Sequence, residues 1–182
     1  LSARATPAKQ WLLKLKAATE SFNSPALMSP RSTMSDGNIL EGGIFLEDAG
    51  RPVWFGLGQQ AGIWHTSKGM YRAPVLGGDC LVMTRRTALK LNLPAFDLRN
   101  PVEVARLCEV AYQSSIETIV VEDSYIEVSQ HQEHIESIQG QNWSGYLDSI
   151  FITTAAKELA VRENQILDHI ADKNTLGFVE DF

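Results

Sequence analysis

Apolar residues first recur at helical spacing over 11–22, where Trp11, Leu15, Ala18 and Phe22 share one face. Thr6-Pro7 just upstream predicts where that helix opens, because Thr caps well and Pro suits the first helical position. Asn23-Ser24-Pro25 closes it. A short strand is expected over Ala26 to Ser29, followed by a turn at Ser35-Asp36-Gly37-Asn38. From Ile39 to Leu57 the pattern predicts strands around a second turn, Glu47-Asp48-Ala49-Gly50. Gly58 to Ala73 mixes Gly, Gln, Ser and Lys with aromatics and is expected to be a loop. Gly56, Gly58 and Gly62 there do not have the spacing of a phosphate-binding fingerprint.

Pro74 to Met83 is apolar and β-leaning, and Thr84 is placed to cap a short helix over Arg85 to Leu91. Asn100-Pro101 starts a stronger helix through Gln113, with Val104, Leu107, Cys108 and Ala111 on its inner face. Ile116 to Val121 and Tyr125 to Val128 are expected as two successive strands. Tyr146 to Ala171 is amphipathic and predicts a long helix with a break near Thr153. Helical and strand patterns are interspersed, which gives a mixed α/β fold.

Composition narrows this picture. At 182 residues the chain suits one domain with a proper core. Its net charge of −6 argues against a general nucleic-acid binder, which needs a surplus of cations to neutralise phosphates. The first forty residues are nonetheless basic, and the segment after Phe151 is acidic. These are two solvated faces, or a basic end suited to an acidic or phosphate-bearing partner. Cys80 and Cys108 lie in core-like segments without metal-ligand spacing. Two buried thiols, no apolar run of about 20 residues and no legible secretory leader together predict a cytoplasmic protein. The chain opens on Leu1 rather than Met and reads as a piece of something longer.

Several landmarks then fall in one order. Pro7 and Trp11-Leu12 come first, followed by Ser29-Pro30-Arg31, Asp36-Gly37 and Gly42-Gly43. Gly78-Asp79-Cys80-Leu81-Val82-Met83-Thr84-Arg85-Arg86 comes next, then Ala95-Phe96-Asp97, Glu103, Leu107-Cys108 and Ile119-Val120-Val121. His131 and His134 end the series. Over roughly residues 1–135 this order resembles the acceptor-side half of a GT-A glycosyltransferase of the family 2 type, of the rhamnosyl- and O-antigen-transferase kind.

The resemblance implies a partial GT-A-like mixed sheet with flanking helices over residues 1–145, and a helical tail over 146–182. It also implies transfer of a sugar from a nucleoside diphosphate sugar to a glycan or lipid-linked acceptor, with inversion, in a larger polysaccharide-biosynthesis protein. The half that would bind the nucleotide is not represented, so this part alone is expected to be inactive. The other reading is a degenerate, non-catalytic domain that binds carbohydrate or a protein partner.

Residue roles follow from the same resemblance. Glu103 stands where the catalytic base belongs; with Asn100 as cap it also forms a variant of the capping box, and the two roles are compatible. Asp79, Asp97, Arg85 and Arg86 are candidates for the acceptor side, although Asp79 also suits a turn and the arginines suit capping or surface pairing. Arg4, His131 and His134 are candidates for the diphosphate. The intact family uses a divalent cation such as Mn or Mg, held by a carboxylate pair. Leu1-Ser2-Ala3-Arg4 offers no carboxylate where that pair would stand, so no metal or other cofactor is expected in this chain.

Overall fold

The computed structural model describes residues 5–62, 69–91, 96–98, 100–129, 141–159, 161–162 and 164. It has the expected mixed α/β architecture. Its central pair is β2 (Ala26–Thr33) and β8 (Glu117–Val128), which run parallel. On the far side of β8, β6 (Met70–Arg72) pairs antiparallel near its start and β1 (Ala5–Pro7) near its end. On the far side of β2, β7 (Val82–Met83) pairs with Leu27 and Met28, and β3 (Ile39–Glu41) with Ser32 and Thr33. A separate hairpin joins β4 (Ile44–Leu46) to β5 (Pro52–Trp54). The helices are α1 (Trp11–Ser21), α2 (Arg85–Leu91), α3 (Pro101–Gln113) and α4, described over 149–159 and helical at 161, 162 and 164.

Several boundaries differ from the pattern-based expectation, each for a physical reason. The first helix starts at Trp11 and not at Thr6-Pro7. Gln10 adopts φ 64°, which no helix accommodates, and residues 5–7 pair instead with Ile126–Val128. Pro7 is tolerated there because its strand lies at the sheet edge. β2 runs four residues past Ser29. Pro30, which has no N–H to donate, falls between the stretches paired to β7 and to β3, so neither of those strands needs a donor from it.

The two strands expected at 116–121 and 125–128 form one bent strand. Between the pairs Pro30↔Val121 and Arg31↔Tyr125, β8 carries Glu122, Asp123 and Ser124 with no opposite partner on β2. This bulge is stitched to α1: Ser124 Oγ donates to Trp11 O at 2.9 Å, and Lys14 Nζ donates to Asp123 O at 2.6 Å. Of Pro74 to Met83, only Val82–Met83 is strand, and within the expected loop Met70–Arg72 is strand. α4 passes Thr153 without a break, and Thr153 and Thr154 turn their hydroxyls back onto the carbonyls of Ser149 and Ile150.

Both expected turns form. Met34 N–H bonds to Asn38 O at 2.8 Å around Gly37, and Gly50 N–H to Glu47 O at 2.7 Å. The core is continuous from α1 and the sheet to Trp143, Leu147, Phe151 and Ala155, so the start of the helical tail is packed into the main body. Trp143 is fully buried with its ring 6.2 Å from that of Trp54. Among the described residues no helix is long and apolar enough to cross a membrane.

Candidate functional site

Two pairs of glycines bring distant parts of the chain together. Gly42 and Gly43 turn β3 into β4, and there is no room for a side chain at either. A Cβ on Gly42 would lie 2.7 Å from Phe55 O and 2.8 Å from Tyr71 Oη, and one on Gly43 2.7 Å from Ala73 Cβ. The Tyr71 hydroxyl donates to Gly42 O and locks the turn against β6. This fixes the side chain of Glu41, the last residue of β3, against Gly77. A Cβ on Gly77 would overlap the Glu41 carboxyl, and a Cβ on Gly78 would overlap Leu98 O and press on Val104 of α3. The Gly77-Gly78 pair is thus enclosed between the end of β3 and the start of α3, with half-buried Asp79 next in sequence.

Electrostatics single out Glu41. The residue as a whole is half-buried, but its Oε1 is fully buried and accepts no hydrogen bond from a described residue. Burial, reinforced by the nearby charge of Asp79, pushes its carboxyl up to about 8. It therefore holds a proton near neutral pH beside a second acid, an arrangement suited to donating or relaying a proton. Cys108, on the inner face of α3, lies within reach of the Glu41 charge, and burial pushes its thiol up to about 12. Burial also raises the Cys80 thiol.

Glu103 occupies the first turn of α3, one residue before Val104, which touches Gly78. It is half-buried and accepts from Arg106 Nη1 at 3.3 Å. Asn100 caps the helix as expected, its Oδ1 accepting from Val102 N–H at 3.0 Å. The capping box does not close, because the Asn100 N–H goes to Asp97 O at 2.9 Å and leaves Glu103 to Arg106. The exposed Asp97 adjoins this helix start. Arg85 and Arg86 are exposed in the first turn of α2 and make no ion pair among the described residues, and Thr84 Oγ1 caps that helix by accepting from Thr87 N–H at 3.1 Å. Arg4, His131 and His134 lie outside the described residues.

The structure thus gathers Glu41, Asp79 and the helix start bearing Glu103 around Gly77-Gly78. Glu41 was not singled out in the sequence. The available signal was an acid closing an apolar strand directly before paired glycines. Among the described residues no group of three or more His, Cys, Asp or Glu is arranged to hold a metal ion. Comparison with protein-family models, curated proteins and solved structures returned no match.

Proposed function

We propose that this chain is the acceptor-side half of a GT-A-like inverting glycosyltransferase, acting on a glycan or lipid-linked acceptor when joined to a segment that binds the nucleoside diphosphate sugar. One observation carries the reading. Parts of the chain widely separated in sequence meet at one point: Glu41, just before Gly42-Gly43, packs against Gly77, and Gly78 packs against Leu98 and against Val104 at the start of α3. Carboxyl groups are what that point offers, and inverting transfer requires one of them to take the acceptor hydroxyl's proton as its oxygen attacks the anomeric carbon.

Glu103 is the base in this scheme, and its ion pair with Arg106 must open when acceptor binds. Asp79 lies on the acceptor side, and Glu41, holding its own proton, donates a hydrogen bond. Arg4, His131 and His134 keep the role of diphosphate contacts that the resemblance gives them. The test is a transfer assay on the protein expressed with its native flanking sequence. Glu103→Gln should lower turnover about 100-fold while the fold is retained. Unchanged transfer would remove Glu103 from the chemistry. A protein that retains glycan binding but catalyses no transfer would be the non-catalytic binding domain instead.

A further inference from the structure

A cavity lies at the opposite end of α3 from Glu103. It has a volume of about 320 Å³, at the lower end of the range for small-ligand pockets, and is walled by the last turn of α3, the start of β8, the edge of β6 and α4. Glu103 and Tyr112 are nine positions apart on α3, which separates this cavity from the site above by roughly 13 Å along the helix axis.

We propose that this cavity binds a neutral carbohydrate of roughly one or two rings, stacked on the Tyr112–Phe151 corner and held at its hydroxyl edge by Glu158, Thr154 and the Arg72–Glu117 fork. The rings of Tyr112 and Phe151 meet at 5.6 Å with a 58° tilt. Phe151 is buried and fixes the corner, while Tyr112 is 45% exposed and offers a face. A sugar ring presents an apolar C–H face to such a surface and hydroxyls around its rim. Arg72 grips Glu117 through two bonds, Nε to Oε2 at 3.0 Å and Nη2 to Oε1 at 2.5 Å. That pairing fixes a planar array of donors and acceptors at the mouth.

Glu158 decides the ligand class. It is half-buried, it accepts no hydrogen bond from a described residue, and burial raises its carboxyl against the opposing pull of Arg72 and Arg162. An apolar ligand would strip water from that carboxyl and offer it no hydrogen bond in return, which is costly. The carboxyl groups of Glu117 and Glu158 are balanced by Arg72 and Arg162, so these four groups leave no surplus positive charge to draw in a phosphate or uronate. Hydroxyls satisfy a carboxyl in either protonation state. The inference does not rest on the transferase reading: if that reading holds, the cavity retains a remote part of the acceptor, and if it fails, the cavity binds sugar all the same.

The test reads binding alone. Saturation-transfer NMR and titration would use methyl glycosides of glucose, galactose, mannose, rhamnose and N-acetylglucosamine, with their disaccharides and glucuronate as the charged control. At least one neutral sugar should bind saturably. Its affinity should fall about tenfold or more in Tyr112→Ala or in Glu158→Gln, both on partly exposed side chains whose replacement leaves the core intact. Glucuronate should bind more weakly than glucose. The proposal is overturned if no neutral sugar saturates the protein below about 20 mM, if both variants bind as well as the parent, or if glucuronate binds as tightly as the neutral sugars.

Discussion

Arg31 and Glu122 form an ion pair inside the sheet, with side chains only 2% and 1% exposed. The bulge in β8 makes this possible, since Glu122 is the first of the residues that have no opposite partner on β2. Arg31 Nη2 donates to Glu122, and Nη1 donates to Ala61 O at 3.0 Å, so the guanidinium also fastens the loop after β5. The desolvation of two ions in so dry a place is offset by their attraction only while both are present.

Arg31→Met should therefore destabilise the protein by about 3–5 kcal/mol, because the buried Glu122 loses the guanidinium bonded to it and keeps only the charge of Arg162 nearby. Adding Glu122→Leu should recover most of that loss. Urea denaturation of the two single variants and the double variant measures the coupling directly. Simple additivity of the single effects would mean that the pair is not the unit described here.

Glu41 gives a pH dependence of definite sign. Its folded-state carboxyl titrates near 8, against an ordinary value of 4.5, so between those values the folded protein holds a proton that the unfolded chain has lost. Stability falls with rising pH wherever the native state binds more protons. The Glu41 contribution is thus lost progressively as pH climbs from about 4.5 to about 8. Glu41→Gln, which cannot ionise, should flatten the thermal midpoint over that window and gain most on the parent near pH 9. Parallel profiles for the two proteins would contradict the buried-acid assignment.

The start of α3 separates capping from chemistry. Asn100→Ala removes the acceptor for Val102 N–H and should cost about 1 kcal/mol. Glu103→Gln should leave stability nearly unchanged, because the Asn100 N–H is already bonded to Asp97 O. Denaturation midpoints of both variants test this without any activity assay.

Cys80 and Cys108 are buried free thiols, both raised by burial, and neither offers thiolate at neutral pH. An aromatic disulfide reagent should label neither in the native protein within the time needed to label both in denaturant. Rapid native labelling of Cys108 would mean that α3 opens locally.

Local signals in the sequence carried much of the fold. Asn100-Pro101, Thr84 and the Gly37 and Gly50 turns each have a side chain or a φ requirement that acts within a few residues, and each forms where expected. What escaped depends on partners far away. Residues 5–7 look like a helix start until Ile126–Val128 claim them, and Pro30 looks like a strand end until the gap between β7 and β3 accommodates it. The same holds for the site. Glu103 was marked by its position in the order of landmarks, whereas Glu41 acquires its proton from burial against Gly77 and from Asp79, which only the folded chain supplies.

The parallel pairing of β2 with β8 also sets a timetable for synthesis. Ala26 waits for Glu117, about ninety residues later, and Ala5 waits still longer for Val128. At ordinary elongation rates that delay is roughly 5–20 s. Until Val82–Met83 emerge, Ala26-Leu27-Met28 has neither of the strands that flank it in the finished sheet, and from then until β8 emerges it has only that short one. Local helices form long before such distant strands can meet. The nascent chain is therefore most exposed to aggregation midway through translation, and a pause placed after Val128 would protect it far better than one placed before.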